Sequence, residues 1–214
     1  TAAVVIEPIQ GATGFLTPNE DFLTRIRERC DETKTLLIFD EIQTCFGRLG
    51  TLFGFQYYKV IPDILCIAKG MGGGMPIGAF ISSWEFMNLL TFKPELGHIT
   101  TFGGHPVNCN ASLATLKYLL SSDIMDKINE KENLFRSLLS HPKIKEIRGN
   151  GLMLAIELEN ESLAKQLVEK ALDNGLILFY FLFTKTSVRI TPPLTISNSE
   201  IIKGCKIITS ILDK

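Results

Sequence analysis

Apolar residues in the first half of the chain occur in short continuous runs that are bounded by glycine, proline and polar residues. Such runs are typical of buried strands. Between the first two runs, residues 17–20 (Thr-Pro-Asn-Glu) form a capping box with Pro at the first helical position, which predicts a helix to about Glu32. Because continuous apolar strands alternate with a helix, we predict an α/β fold whose sheet is covered on both faces. The predicted strands cover residues 2–6, 35–39, 63–68 and 77–81.

The second half of the chain repeats this alternation. A long helical stretch covers residues 106–139, with a break near Ser121 and Ser122. Gly175 is typical of the residue that follows a helix end, and residues 197–200 (Ser-Asn-Ser-Glu) form a second capping box that opens a terminal helix. We also predict a helix over residues 162–174 and strands over residues 151–158, 176–183 and 188–191, of which 176–183 is expected to be a core strand.

This pattern predicts two domains joined by the long helix. The first domain covers residues 1–107, the connecting helix residues 108–139, and a smaller C-terminal domain residues 140–214. The chain starts at Thr1 and runs straight into a strand, so we expect it to be a fragment of a longer protein.

The composition narrows the function classes. The chain has 214 residues, of which 45% are hydrophobic and 21% charged, with a net charge of −1, which is typical of a globular protein rather than of a basic nucleic-acid-binding surface. The longest apolar run, residues 176–183, is far shorter than the ~20 residues of a membrane-spanning helix. We therefore expect neither a nucleic-acid nor a membrane partner.

The cysteines and histidines exclude other kinds of site. The five cysteines are scattered without a C-x-x-C pair, which favours free thiols in a reducing, cytoplasmic compartment. The three histidines lack metal-ligand spacing, so no metal site is expected.

Two polar residues follow predicted strands directly. Asp40 ends the second strand and Lys69 ends the third, immediately before a glycine-rich turn. In open α/β sheets, ligands bind beyond the carboxyl ends of the strands. A partly desolvated lysine is a nucleophile toward aldehydes, and pyridoxal phosphate combines a lysine Schiff base with a carboxylate that faces its ring nitrogen.

Each residue also has a competing interpretation. Taken alone, Lys69 is more simply a strand-end lysine whose amine reaches water. The run that ends in Asp40 and Glu41 has the form of a Walker B strand, which would indicate a nucleotide-binding ATPase. A P-loop needs its lysine after the glycines, whereas Lys69 precedes them, so these residues do not match one. A P-loop in a preceding part of a longer protein would still satisfy this pattern, so a nucleotide-binding ATPase is the alternative function.

Several short motifs, each weak alone, together resemble the class III pyridoxal-phosphate aminotransferases, the family of acetylornithine, ornithine and 4-aminobutyrate aminotransferases. They run in order from residue 7 to the C-terminal region. The motifs are residues 7–11 (Glu-Pro-Ile-Gln-Gly), 39–44 (Phe-Asp-Glu-Ile-Gln-Thr), 46–48 (Phe-Gly-Arg), 62–64 (Pro-Asp-Ile), 68–70 (Ala-Lys-Gly), 73–79 (Gly-Gly-Met-Pro-Ile-Gly-Ala), 100–104 (Thr-Thr-Phe-Gly-Gly), 189–190 (Arg-Ile) and 192–194 (Pro-Pro-Leu).

The resemblance implies a fold-type I pyridoxal-phosphate-dependent transferase. This chain would supply part of the mostly parallel large-domain sheet and the C-terminal α/β small domain. Lys69 would carry the cofactor and act as the catalytic base, and Asp40 would pair with the pyridine nitrogen. Glu41, Ile42 and Gln43 would complete the cofactor-binding set around the ring.

The resemblance also implies substrates and a partner. An amino donor and a 2-oxo acid, with 2-oxoglutarate as the expected acceptor, would exchange an amino group. Arg189 would bind a substrate carboxylate, and Thr100 would line the substrate entrance. Thr101 would bind the cofactor phosphate of the neighbouring subunit, so a homodimer would share its active sites. Relatives that are aminomutases, decarboxylases or racemases use the same cofactor, and Lys69 and Asp40 do not separate these reactions.

Three positions depart from the family pattern. Ala12 stands where ornithine-type and 4-aminobutyrate-type members carry a glutamate that masks the carboxylate-binding arginine, so switching by that route is not expected here. Cys45 replaces a usual glycine and would be strained if that position needs a positive φ. His105 replaces a common asparagine and is interpreted as a loop variant rather than a ligand.

Overall fold

The computed structural model describes residues 1–93, 95 and 98–214. Contacts among Cα atoms divide the chain into two compact units, and the main division falls between Ser122 and Asp123, inside the stretch predicted as a connector. The first unit comprises Thr1–Pro8, Pro18–Phe46 and Thr51–Ser122, and the second comprises Ile9–Thr17, Gly47–Gly50 and Asp123–Lys214.

The first unit contains a four-stranded, mostly parallel sheet. Its strands are β1 (Ala3–Ile6), β2 (Leu36–Asp40), β3 (Ile64–Ile67) and β4 (Ala79–Ser82), in the order β1-β2-β3-β4. The first three are parallel, and β4 runs antiparallel to β3. All four apolar runs of the first half are therefore strands, as predicted.

The helices of this unit are α1 (Phe22–Thr33), α2 (Gly54–Tyr58), α3 (Trp84–Leu89) and α4 (Pro106–Ser121).

The predicted capping box at residues 17–20 is wrong, because α1 begins only at Phe22 and its N-cap residue makes no side-chain cap hydrogen bond. Within the described chain, Leu16 forms a bridge with Gln10, and the Phe22 amide then closes a turn on the Asn19 carbonyl oxygen at 3.1 Å. The chain before α1 therefore forms a bridge and a turn where the first turn of the helix was predicted.

Glu41 is wholly buried directly after β2 and anchors α2. Its carboxylate accepts hydrogen bonds from the amides of Gly54 and Phe55, the latter at 2.7 Å, and from the Thr44 hydroxyl at 3.1 Å. Burial raises the pKa of Glu41, and the three donors oppose that rise by stabilising the charged form. A Cβ at Gly54 would lie 2.9 Å from Glu41 Oε2, so this position accommodates only glycine without movement.

The second unit contains a four-stranded antiparallel sheet. Its strands are β5 (Ile144–Asn150), β6 (Met153–Leu158), β7 (Phe179–Tyr180) and β8 (Ser187–Ile190), in the order β5-β6-β8-β7. Strand β5 was not predicted, because most of its residues are polar or glycine and no apolar run marks it.

Three helices cover one face of this sheet: α5 (Ile128–Leu138), α6 (Glu161–Asp173) and α7 (Asn198–Leu212). The predicted break in the long helix is confirmed, because α4 ends at Ser121 and α5 begins at Ile128. The second capping box is also confirmed, with Ser197 and Glu200 bonded reciprocally at the start of α7. The core between this face and the helices includes Leu154, Ile156, Leu158, Val188, Ile190, Phe135, Leu167, Ala171, Ile201 and Ile208.

The expected core strand at residues 176–183 is wrong. Only Phe179 and Tyr180 form a strand, they are exposed, and the strand lies at the edge of the sheet. Leu182 and Phe183 are 74% and 71% exposed. In the described sheet, β7 has a neighbouring strand on one side only. A continuous apolar run does not distinguish such an edge strand from a central one.

Gly149 offers a test of the β5–β6 hairpin. Its φ is +93°, and a Cβ there would lie 1.9 Å from the Met153 carbonyl oxygen. Gly175, with φ +77° and nothing within 4 Å of its Cβ position among described residues, is the matched control. We expect Gly149→Ala to lower the free energy of unfolding by about 2–5 kcal/mol, since backbone strain and overpacking add, and Gly175→Ala by about 1–2 kcal/mol, from strain alone. Urea unfolding measures both, and equal losses would contradict the clash.

Glu41 offers a second test. In Glu41→Gln, the amide nitrogen would face at least one of the backbone N–H donors that now bind a carboxylate oxygen, leaving a buried donor unpaired. We expect a loss of about 1–3 kcal/mol in the free energy of unfolding. Glu28→Gln, the same change on an exposed residue of α1, should stay within about 0.5 kcal/mol. If the two variants unfold at the same urea concentration, the anchoring role is wrong.

Candidate active site

The parallel pairing of β2 and β3 brings the predicted cofactor residues to one edge of the first sheet. Asp40, the last residue of β2, lies opposite Cys66 on β3, and the Glu41 amide donates to the Cys66 carbonyl oxygen at 2.9 Å. Lys69 follows Cys66 by three residues and begins a 3₁₀ turn, Lys69–Gly72. Asp40 and Lys69 therefore both lie at the carboxyl ends of neighbouring parallel strands, where ligands bind in such sheets.

The Asp40 carboxylate is half engaged. Its Oδ1 accepts a hydrogen bond from the Ile42 amide at 3.0 Å, which fixes the direction of the side chain at the strand end. Its Oδ2 has no hydrogen-bond or ion-pair partner within the described part of the chain. Ile42 and Gln43 are half-buried in the turn that follows. The site therefore presents one carboxylate oxygen that is free to accept a further hydrogen bond.

Lys69 has an unusual backbone conformation, with φ +44°. Three other described lysines have positive φ. Lys34 and Lys59 are helix C-cap residues, where this conformation is common, and Lys93 lies in the loop after α3. Lys69 instead begins its turn, and strained non-glycine residues of this kind cluster at functional sites. Its ammonium group has no partner among the residues described.

The expected partial desolvation of Lys69 is not found, because its side chain is exposed. The 3₁₀ turn carries the residue beyond the end of β3, and four of the next five residues are glycines, which have no side chain to cover it. The free amine is therefore accessible to a ligand that approaches this edge of the sheet.

Cys45 supports the strand end next to Lys69. Its thiol is buried and donates to the Ala68 carbonyl oxygen at 3.7 Å. Burial raises the pKa of Cys45 to about 12. In this loop Phe46, Gly47 and Gly50 have positive φ, but Cys45 does not, so the expected strain at Cys45 is absent.

The glycine-rich turn after Lys69 packs closely on its surroundings. A Cβ at Gly70 would lie 3.1 Å from the Phe46 Cβ, and a Cβ at Gly73, whose φ is +56°, would lie 2.1 Å from the Thr115 Oγ1 on α4. Glycine at these positions allows the backbone that carries Lys69 to contact both the loop and the helix.

Thr100 and Thr101 lie in the exposed loop before α4. The Thr100 carbonyl oxygen accepts from the Gly103 amide at 3.3 Å, which forms a tight turn. His105 is the N-cap residue of α4 and makes no side-chain cap hydrogen bond. Both threonine hydroxyls are exposed to solvent in this chain.

Arg189 lies in the second unit, on the face of the sheet opposite the helices. The residues directly across the four strands from one another are Arg148, Ala155, Arg189 and Phe179. Residues in such a row share one face. The Arg189 guanidinium carbon lies 4.6 Å from the centre of the Phe181 ring and 5.5 Å from that of Phe15.

Arg189 has no anionic partner in the described chain. Its Nε is buried without a hydrogen bond, and burial lowers the pKa of the guanidinium. Sequence reasoning identified Arg189 but missed Phe15 and Phe181, because neither lies next to Arg189 in sequence and only the fold brings them together.

Arg148, on the same face, is fully engaged. Its guanidinium donates to Glu157 at 2.7 Å, to Ser187 at 2.6 Å and to the Gly14 carbonyl oxygen at 2.9 Å. Arg48, a further arginine of this unit, donates to the carbonyl oxygens of Leu152 and Pro192. These two side chains therefore bind protein groups, in contrast to Arg189.

In residues 1–93, 95 and 98–214, no group of three or more His, Cys, Asp or Glu side chains is arranged to hold a metal ion. None of the helices described there is both long and apolar enough to cross a bilayer.

Comparison with known proteins gives consistent matches. The chain is 37% identical, over 99% of its length, to acetylornithine aminotransferase of Caldanaerobacter subterraneus subsp. tengcongensis, and spans 53% of that protein. It is 39% identical to putrescine aminotransferase of Pectobacterium atrosepticum, of which it spans 47%. The crystal structure of acetylornithine aminotransferase from Elizabethkingia anophelis superposes with a TM-score of 0.91 at 34% identity, over 100% of this chain and 54% of that one.

The chain thus spans about half the length of the curated relatives it matches. The family pattern described as aminotransferase class-III matches residues 1–212. The mixed α/β fold, with its mostly parallel sheet in the order β1-β2-β3-β4, is consistent with part of the fold-type I architecture. The chain belongs to the class III aminotransferases.

Proposed function

We propose that this chain is part of a pyridoxal-phosphate-dependent transaminase that moves an amino group from an amine or amino acid to a 2-oxo acid, with 2-oxoglutarate as the expected acceptor. One observation carries the proposal: Asp40 and Lys69 lie at the same sheet edge, one with an unpartnered carboxylate oxygen and the other with an unpartnered amine among the described residues. Membership of the family supports it.

The residues present fit the cofactor. The free Asp40 oxygen would accept a hydrogen bond from the pyridine nitrogen and favour its protonated form. The accessible amine of Lys69 would bind the aldehyde carbon. Ile42 would contact the ring face and Gln43 would lie near the ring hydroxyl. Glu41, whose carboxylate is buried against backbone amides, is assigned to support of the loop rather than to direct contact with the ring.

The same burial of Glu41 argues against the ATPase alternative. A Walker B glutamate must face the nucleotide, whereas both oxygens of this carboxylate accept hydrogen bonds from the protein. No described feature supplies the phosphate-binding loop that such an enzyme needs, because the lysine precedes the glycines.

The chemistry depends on proton transfer at the substrate Cα. When bound, pyridoxal phosphate supplies an electron sink for the charge left on that carbon. Nζ of Lys69 would accept the Cα proton and donate it again, which is a general base and general acid task. Asp40 would stabilise the protonated pyridine nitrogen while Lys69 moves the proton.

Arg189 would bind a carboxylate of the substrate. A planar guanidinium with parallel N–H donors matches a carboxylate, and this one lacks an acidic partner in the described chain. Ala12, which has only a methyl group, is unable to mask it. We therefore propose that the arginine is open in both halves of the reaction, and that the amino donor is not selected by a glutamate switch at this position.

A second copy of this chain would complete the site. Large apolar side chains on α3 and in the loop before α4 expose between 63% and 81% of their surface, and such patches mark protein interfaces. We propose a homodimer in which Thr101 of one subunit binds the cofactor phosphate of the other and Thr100 lines the substrate entrance. The side chains are Trp84, Leu89, Phe92, Ile99 and Phe102.

The cofactor assignment is tested by borohydride reduction of the complete gene product with pyridoxal phosphate. Reduction fixes a carbon–nitrogen bond between the cofactor and an amine, and mass spectrometry of the digest locates it. We expect stoichiometric label at Lys69, and no label and no turnover in Lys69→Ala. Lys59→Ala is the matched control, because Lys59 is also exposed with a positive φ, and it should keep activity within about twofold. Label at Lys59 or spread over surface lysines would refute the assignment.

The shared site is tested by mixing two inactive variants. In the proposed dimer, each site takes Lys69 from one subunit and Thr101 from the other. A dimer of one Lys69→Ala subunit and one Thr101→Val subunit therefore has one site with both changes and one intact site. Random exchange of subunits should restore about a quarter of wild-type activity. The control mixture, Lys69→Ala with Asp40→Ala, should recover none, since both residues come from the same subunit. If the two mixtures are equally inactive, Thr101 does not act across a subunit interface.

A further inference from the structure

Arg189 and Arg148 share one face of the second sheet but differ in their surroundings. They flank Ala155 on neighbouring strands, as its partners on β8 and β5. Arg148 binds Glu157, Ser187 and the Gly14 carbonyl oxygen, whereas Arg189 has neither a carboxylate nor a carbonyl oxygen as a partner in the described chain. Half-burying a guanidinium without an acceptor costs free energy unless a ligand or another group offsets it.

The Arg189 guanidinium contacts two aromatic rings and has no hydrogen-bond acceptor beside it in the described chain. Phe15 and Phe181 meet edge to face, with ring centres 4.7 Å apart and an interplanar angle of 87°, and the Arg189 guanidinium lies within cation–π distance of both. Both rings are nearly inaccessible, with exposures of 1% and 6%. An aromatic face attracts the cation but does not accept its in-plane hydrogen bonds, so the terminal N–H donors stay unpaired, while the Nε donor is buried.

The segment that carries Phe15 is itself fixed to this face. The Arg148 Nε donates to the Gly14 carbonyl oxygen at 2.9 Å, and the Phe183 amide donates to the Ala12 carbonyl oxygen at 3.1 Å. Phe15 has a φ of +53°, a strained value for a bulky residue. The two hydrogen bonds hold Phe15 in this conformation. Through Gly14, they also link Arg148, whose donors are bonded, to the ring that contacts Arg189.

Resting on the function proposed above, we propose that Phe15 and Phe181 are positioning residues that hold the Arg189 guanidinium as a permanently open receptor for the carboxylate of a 2-oxo acid or amino acid. The rings fix the plane of the guanidinium and exclude water from its faces, and Ala12 leaves its donors unmasked. Substrates that lack a carboxylate gain nothing from this receptor, so the enzyme discriminates between them by the anion.

The experiment measures binding of glutarate, a dicarboxylate that does not react, to the complete holoenzyme by isothermal titration calorimetry. Arg189→Lys keeps the charge but removes the planar donor pair, and should weaken glutarate binding by about tenfold or more. Phe15→Met and Phe181→Met remove the ring but keep a long apolar side chain, and should each weaken glutarate binding roughly two- to thirty-fold, the range that cation–π energies correspond to. Phe183→Met is the matched control, an exposed phenylalanine of the same segment, and should stay within about twofold.

A second series separates positioning from a packing effect. Replacing Phe181 by 3,5-difluorophenylalanine keeps the shape nearly unchanged but weakens the negative ring face, so glutarate binding should weaken to a value between wild type and Phe181→Met. In steady-state kinetics, the KM for 2-oxoglutarate should rise in the Phe15 and Phe181 variants, while kcat stays within about twofold.

Each outcome decides a stated point. If the fluorinated protein and both methionine variants bind glutarate as wild type does while Arg189→Lys does not, the rings do not position the arginine. If Arg189→Lys binds glutarate normally, or if wild type does not bind it, the receptor itself is refuted. Failure of the proposed transaminase chemistry is read separately, from the absence of cofactor label at Lys69.

Discussion

The hydrogen-bonded pairing of β2 with β3 is the constraint on which the placement of Asp40 and Lys69 depends. Because the strands are parallel and Asp40 pairs with Cys66, the carboxylate and the lysine leave the sheet at the same edge. Glu41 stabilises the chain that follows β2, because its buried carboxylate accepts hydrogen bonds from the two amides at the start of α2. A shift of this register by one residue would turn Asp40 to the other face of the sheet.

The second unit divides its polar and apolar requirements between two faces of one sheet. One face contributes Ile156 and Val188 to the core beneath the helices. The other face carries the two arginines, and Glu157 neutralises only Arg148. Arg148 lies against a carboxylate and Arg189 against aromatic rings. One sheet therefore holds a guanidinium that is paired within the protein and another that has no acidic partner in the described chain. This difference is set by residues that are distant in sequence.

Local patterns predicted what local forces determine. The four apolar runs and the Ser197 capping box specify their elements through burial and short-range hydrogen bonds, so they were found from the sequence. The capping box at residues 17–20 failed because a bridge between Gln10 and Leu16 keeps the preceding chain extended. The positions of Lys69 and Asp40 followed from strand ends, but the aromatic surroundings of Arg189 depend on tertiary contacts that no spacing encodes.

The buried thiol of Cys45 has a consequence for chemical modification of this protein. With a pKa of about 12, it is almost entirely protonated near neutral pH, and alkylating agents and oxidants attack the thiolate. Cys109 on α4 is exposed and offers such reagents an easier target. A thiol reagent that inactivates the protein would therefore modify Cys109 on α4 before Cys45, although Cys45 lies directly beside the strand end that precedes Lys69.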